Sequence, residues 1–165
     1  LVILGSSNAV NLTDGLDGLA SSVTFVVMLG FTSAATLLGH YTMGIFGAAI
    51  AAGCAGFLFW NFYPAKVFMG DTGSMFLGGA VVTISFGIGH PELLFLLGII
   101  YLAEAGSVVL QVAYFKLTHG KRIFKMTPIH HHFELCGWSE VKIDTVFSCV
   151  SFVGVLLGFV YLYLN

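Results

Sequence analysis

The chain alternates between long apolar runs and short polar interruptions. About 20 apolar residues span a hydrocarbon core. Four or five runs approach that length, at about Gly18 to Gly39, Met43 to Phe62, Ser74 to Ile88, Glu92 to Phe115 and Asp144 to Leu164. The second is rich in Gly and Ala (GIFGAAIAAGCAGF), small residues that let membrane helices pack closely. The third is short. Ahead of them LVILG runs straight into polar sequence with no basic n-region or cleavage site. It reads as the tail of a helix that begins outside this sequence, so the chain is expected to be a fragment. No repeat, low-complexity tract or linker interrupts the pattern. The expected fold is an all-α integral membrane protein, a polytopic bundle with about five transmembrane helices, and residues 1–165 form one domain.

Composition agrees with that reading. The 165 residues are 58% hydrophobic and 8% charged, with a mean hydropathy of +0.97, where a soluble domain carries about 25% charged residues. Too little polar surface remains to hold a globule in water. A net charge of −2 suggests no nucleic-acid partner. The odd set of Cys54, Cys136 and Cys149 has neither metal nor redox spacing and reads as plain buried or lipid-facing thiols.

Charge then sorts the loops. After the first truncated helix, the odd-numbered loops are Asn8 to Asp17, Asn61 to Gly73 and Lys116 to Ile143. The even-numbered ones are the turns GHYT (Gly39 to Thr42) and GHPE (Gly89 to Glu92). All six basic residues, Lys66, Lys116, Lys121, Arg122, Lys125 and Lys142, lie on the odd side, which the positive-inside rule places in the cytoplasm. Asp14, Asp17, Asp71, Glu134, Glu140 and the HHH run lie there too.

Three stretches carry candidate chemistry. In NAVNLTDGLDG, Asn8, Asn11, Asp14 and Asp17 recur every third residue. A capped loop would account for Asx and Gly. Residues three apart also share a helical or 3₁₀ face, so Asn11, Asp14 and Asp17 can point together. Carboxylates crowded at a membrane surface call for a cation, and hard oxygen ligands suit Mg²⁺. In NFYPAKVFMGDTGS, Asp71 stands in a Gly-bracketed turn before an apolar run. It reads either as an N-cap or as a metal-binding carboxylate beside free helix N–H groups that favour phosphate. Lys66 adds a cation there, and Phe68 a flat face on which a base can stack. In KRIFKMTPIHHHFELCGW, His130, His131 and His132 are consecutive. Neighbours on a helix diverge by about 100°, which suits hydrogen bonding or proton transfer better than zinc. The surrounding Lys, Arg, Ile, Phe and Trp suit the headgroup zone. Glu104, inside the fourth run, is expected to be protonated or paired with another helix.

Together NAVNLTDGLDGLA, FWNFYPAKVFMGDTGS and KRIFKMTPIHHHFELCGWSE resemble the phospho-N-acetylmuramoyl-pentapeptide-transferases of bacterial cell-wall synthesis. The resemblance runs in order through essentially the whole chain. The aspartate motifs resemble those of the wider polyprenyl-phosphate N-acetylhexosamine-1-phosphate transferases, and PIHHHFE narrows the match. The resemblance implies a ten-helix, Mg²⁺-dependent enzyme of the bacterial plasma (inner) membrane, usually a homodimer. Such an enzyme moves phospho-MurNAc-pentapeptide from UDP-MurNAc-pentapeptide to undecaprenyl phosphate and releases UMP. By motif, Asp71 matches the metal-binding aspartate, with Asp14 and Asn11 in the polar cluster beside it. Asp14 is expected to share the metal. Asp17, Asn61 and Phe68 match positions that hold the uridine portion, and Asn8 is counted with the substrate-binding positions. His130, His131 and His132 match an essential loop motif and, with Asp14 and Asp71, make the expected catalytic set. The family's adjacent aspartate pair and an early lysine have no counterpart here. The match is to roughly the last half, from the end of the fifth helix through helices six to ten, so transfer by this chain alone is not expected. Rival readings are a sister transferase using UDP-GlcNAc or another UDP-sugar, a transporter or channel, and a non-catalytic scaffold.

Overall fold

The computed structural model describes residues 1–164. Eight helices follow in order: α1 (Val2–Thr13), α2 (Leu19–Leu37), α3 (Tyr41–Asn61), α4 (Gly70–Gly87), α5 (Leu93–Leu97), α6 (Ile99–Leu117), α7 (Ile129–Glu134) and α8 (Glu140–Leu164). No strand occurs among the described residues. Four of the helices, α2, α3, α6 and α8, are long and apolar enough to cross a membrane. The short third run is the helix α4, whose polar first turn (GDTGS) lowers its hydropathy.

Helix α2 is the most buried of the four and forms the centre of the bundle, packed against α3 and α8. Its Val23, Val27, Met28 and Phe31 are fully buried. Around it, α3, α6 and α8 turn large apolar side chains outward, among them Ile45, Phe59, Val109, Leu110, Phe152 and Val160. In water such faces would be a liability. In lipid they are ordinary solvent-facing surface, and close packing, not transfer from water, has to hold the helices together. The α1–α4 contact shows how. A Cβ on Gly78 would lie 2.6 Å from the Ser7 Cα and 2.8 Å from the Ser6 carbonyl. The bare backbones therefore touch, and Ser6 and Ser7 hydroxyls donate to the carbonyls of Gly78 and Met75 at 3.3 and 2.8 Å.

Three boundaries differ from the sequence reading. Helix α1 continues through Asn8 and Asn11 to Thr13, so the expected loop over Asn8–Asp17 shrinks to a turn of about Asp14–Gly18. The polar side chains that suggested a loop are accommodated by bonding back to their own helix, Asn8 Nδ2 to the Leu4 carbonyl and Thr13 Oγ1 to that of Ala9. The fourth run is two helices, because α5 ends at Gly98 (ψ 22°), where the chain leaves helical geometry before α6 begins. The long loop over Lys116–Ile143 is partly ordered as α7.

The even-side turns are alike. Gly39 (φ +78°) follows α2 and Gly89 (φ +77°) follows α4. The next residue in each, His40 or His90, donates its N–H to the Ala35 or Ser85 carbonyl five back. That is a Schellman ending, in which the left-handed position favours glycine.

Candidate functional site

The odd-side segments converge. Asn11, on the last turn of α1, donates Nδ2 to Asp71 Oδ1 at 3.0 Å and to Ser74 Oγ at 2.9 Å. Asp71 is exposed, in the first turn of α4, where a carboxylate complements the helix dipole. It is not an N-cap, since Met69 occupies that position without a side-chain cap. Asp14 closes α1 as its C-cap. Burial first, and the Asp71 charge second, push its carboxyl up to about 6. The two carboxylates thus repel across the α1–α4 contact. Among the described residues the ion pairs are His90–Glu92, His130–Glu104 and His131–Glu134, so no basic side chain of the chain neutralises Asp14 or Asp71.

Asp17 faces another way. Its Oδ2 accepts the Ala65 N–H at 2.8 Å, and its own N–H points to Glu140 Oε2 at 3.4 Å. Asn61 is only 3% exposed. Its Oδ1 accepts from Ser21 Oγ at 2.9 Å and its Nδ2 donates to the Val67 carbonyl at 3.0 Å. Both ends of the Asn61 amide are therefore used within the chain, and its visible work is to shape the connection over residues 62–69. Phe68, on that connection, is 74% exposed and borders a groove of about 280 Å³ with Phe57, Met69 and Phe76. Asn8 stands apart from the carboxylates, exposed and bonded within α1.

The three histidines diverge, as consecutive helical residues must. His130 is buried, with Nδ1 3.0 Å from Glu104 Oε2. His131 pairs with Glu134 at 2.6 Å. His132 Nδ1 accepts the Lys125 N–H at 3.1 Å. Glu104 meets its expected interhelical partner in His130. Exposed Lys66, Lys121 and Arg122 supply positive charge on the same side. Gln111 holds the loop before α7, accepting the N–H groups of Ile123 and Phe124 and donating to the Phe124 carbonyl.

Sequence reasoning placed Glu140 on the odd side without giving it a role, and passed over Asp144 and Ser22. Asp144 is buried at the start of α8 and accepts from Ser22 Oγ at 3.1 Å. The signal was there: Glu140 and Asp144 are four apart and share a helix face, as do the buried Glu104, Ser107 and Gln111 of α6.

These features define a polytopic helical membrane protein with a cluster of acidic residues at one end of its bundle. The profile of glycosyl transferase family 4 matches residues 1–88, and the chain belongs to that family. Phospho-N-acetylmuramoyl-pentapeptide-transferases are similar over nearly all of it. That of Clostridium perfringens (strain 13 / Type A) is 56% identical over 155 residues, covering 94% of this chain and 49% of the relative. That of Clostridium botulinum (strain Eklund 17B / Type B) is 54% identical over 155 residues, covering 94% and 48%. That of Thermoanaerobacter sp. (strain X514) is 52% identical over 158 residues, covering 96% and 50%. The chain spans about half the length of the curated relatives it matches.

Proposed function

We infer that the full-length protein carrying this chain transfers phospho-MurNAc-pentapeptide from UDP-MurNAc-pentapeptide to undecaprenyl phosphate, releasing UMP, in peptidoglycan synthesis. The observation that carries the reading is the meeting of Asp14 and Asp71 from separate helices, with Asn11 bonded to Asp71 and, among the described residues, no cationic side chain paired with either. The substrates follow from the names of relatives similar over nearly the whole chain. The count of basic residues on the odd side supports a cytoplasmic site.

The donor set fits Mg²⁺, which takes one or two carboxylates and keeps substrate phosphates and waters. Among the described residues no group of three or more His, Cys, Asp or Glu could hold a metal, so Mg²⁺ here would rest on two carboxylates, with substrate phosphates and waters completing its shell. Asp71 and Asp14 would hold Mg²⁺, which when bound neutralises charge on the diphosphate and on the leaving UMP.

The chain's own residues then position the reactants, which is most of what phosphoryl transfer asks. Asn11 fixes the Asp71 carboxylate. Free N–H groups in the first turn of α4 favour phosphate oxygens, and Lys66, Lys121 and Arg122 add cationic surface. Phe68 offers its open face to the uracil. A phosphate monoester with a second pKa near 6 is largely dianionic at pH 7, so the lipid phosphate requires orientation more than deprotonation. One of its oxygens forms the new bond to the sugar-bearing phosphorus as the bond from that phosphorus to the UMP oxygen breaks. Attack is in line, with no covalent enzyme intermediate.

The test is formation of radiolabelled lipid product by the full-length protein in membranes, with and without Mg²⁺ and with Asp71→Asn. Magnesium-dependent product is expected, lowered at least about 10²-fold by the substitution. Product from UDP-GlcNAc in place of UDP-MurNAc-pentapeptide would move the reading to a sister transferase. A phospho-sugar trapped on the protein would rule out direct attack.

A further inference from the structure

The pair formed by Glu104 and His130 is the most deeply buried titratable pair among the described residues, at 0% and 1% exposed. Glu104 comes from α6 and His130 from α7, so the pair ties a membrane-spanning helix to the odd-side loop. The other imidazole nitrogen, Nε2, is buried and has no hydrogen-bond partner. It lies against the turn between Asp14 and Asp17, where a Cβ on Gly15 would fall 2.3 Å from Nε2 and 2.7 Å from Cε1. Glycine at position 15 therefore lets the turn bearing both aspartates rest directly on the ring. His131 and His132 are both part-exposed and reach other partners. Only His130 underlies the carboxylate turn.

We propose that Glu104 is a positioning residue which fixes the ring and tautomer of His130, and that His130 in turn seats the Asp14–Asp17 turn at Gly15. A carboxylate at Nδ1 makes that nitrogen the donor and leaves Nε2 bare. A buried acceptor left without a donor is costly, so a donor reaching Nε2, from the turn or from a ligand, is favoured only in this tautomer. Glu104 is fully buried and reaches the site side only through His130. It acts through His130, and His130 through the backbone of the turn, so the two behave as one unit. This assignment rests on the transfer reading above for its kinetic half only.

The experiment combines a spectroscopic and a kinetic readout on the full-length protein. With ¹⁵N-labelled histidine, and His130 identified by its loss in His130→Gln, the wild type should show a protonated Nδ1 and a bare Nε2. Glu104→Met removes the acceptor without leaving a charge and should bring in the Nε2–H tautomer, with kcat falling about 10²-fold, the order that a misplacement of about 1 Å costs. The double variant Glu104→Met/His130→Gln should be no slower than the worse single variant, because members of a unit are not additive. Glu104→Gln keeps an acceptor, retains the tautomer and should recover most of kcat. Gly15→Ala should lower kcat while Glu104 is intact.

An unchanged tautomer in Glu104→Met, or a kcat within about twofold of wild type, overturns the proposal. Should that variant not fold, Glu104→Gln decides: a bare Nε2 with most of kcat retained supports the proposal, and an Nε2–H tautomer with full kcat overturns it. If the wild type itself makes no lipid product, the transfer reading fails, while the tautomer measurement still decides what Glu104 does.

Discussion

Asn11 and Asp71, 60 residues apart in sequence, are joined by a 3.0 Å hydrogen bond across the α1–α4 contact. The bond is solvent-exposed, so it contributes only about 1 kcal/mol, and its consequence should be kinetic. Replacing Asn11 with Ala should slow transfer roughly fivefold to tenfold, the rate equivalent of that energy. The thermal unfolding midpoint in detergent should hardly move. A large loss of stability with normal turnover of the surviving protein would contradict this.

The Asp14 carboxyl sits at about 6, above the ordinary 3.8, by burial and then by the Asp71 charge. In metal-free protein its ionisation works against the fold: the contribution is fully present below about 4 and is lost as pH rises through about 6. Asp71→Asn removes the like charge, so the Asp14 titration followed by infrared carboxyl bands should move downward. Mg²⁺ should compete with the proton, binding more weakly below pH 6 than above it. A titration indifferent to both Asp71→Asn and Mg²⁺ would dissolve the two-carboxylate site.

Gly78→Ala should destabilise the protein by about 1–3 kcal/mol, the usual range for overpacking. The added methyl meets the Ser6–Ser7 backbone, which cannot swing aside. Its neighbour Gly79 has nothing within 4 Å of a built Cβ, so Gly79→Ala is the matched control and should be nearly neutral. Equal melting shifts for the two would show that the α1–α4 approach is looser than described.

Asn61→Leu should cost about 1–3 kcal/mol by leaving the Ser21 hydroxyl and the Val67 carbonyl without partners. The connection over residues 62–69 should become the first segment cut in limited proteolysis. Unaltered protection would mean that the backbone bonds of Lys66 and Val67 to the Trp60 carbonyl suffice to hold it.

Apolar run length located the helices because a bilayer constrains length more strictly than an aqueous core does. What it could not show was the state of polar residues at helix ends. Asn8 and Asn11 read as loop because Asn is a poor helix former, yet tertiary packing of α1 on α4 overrode that preference. Gly98 was invisible as a break, since a glycine within an apolar run is as compatible with close packing as with a kink. Loop parity put the carboxylates on one side, but the spacing of three did not bring Asp17 to Asp14, since Asp17 turns to Ala65 instead. Their pairing was not legible, because Asp17 meets Ala65 and Glu104 meets His130 across separations of 48 and 26 residues. Nothing in local sequence distinguishes His130 from His131 and His132. Its burial against Gly15 and its pairing with Glu104 do.

The Asp17 carboxylate is a latch as well as a charge. It holds the Ala65 N–H on the same short connection that carries Phe68 and Lys66. A ligand that bonds the other carboxylate oxygen leaves Ala65 in place, whereas one that takes Oδ2 from the Ala65 N–H loosens that connection. Displacing Ala65 from Oδ2 would therefore unfasten the connection that carries Phe68. The tighter ligand is one that engages Phe68 and leaves the latch closed.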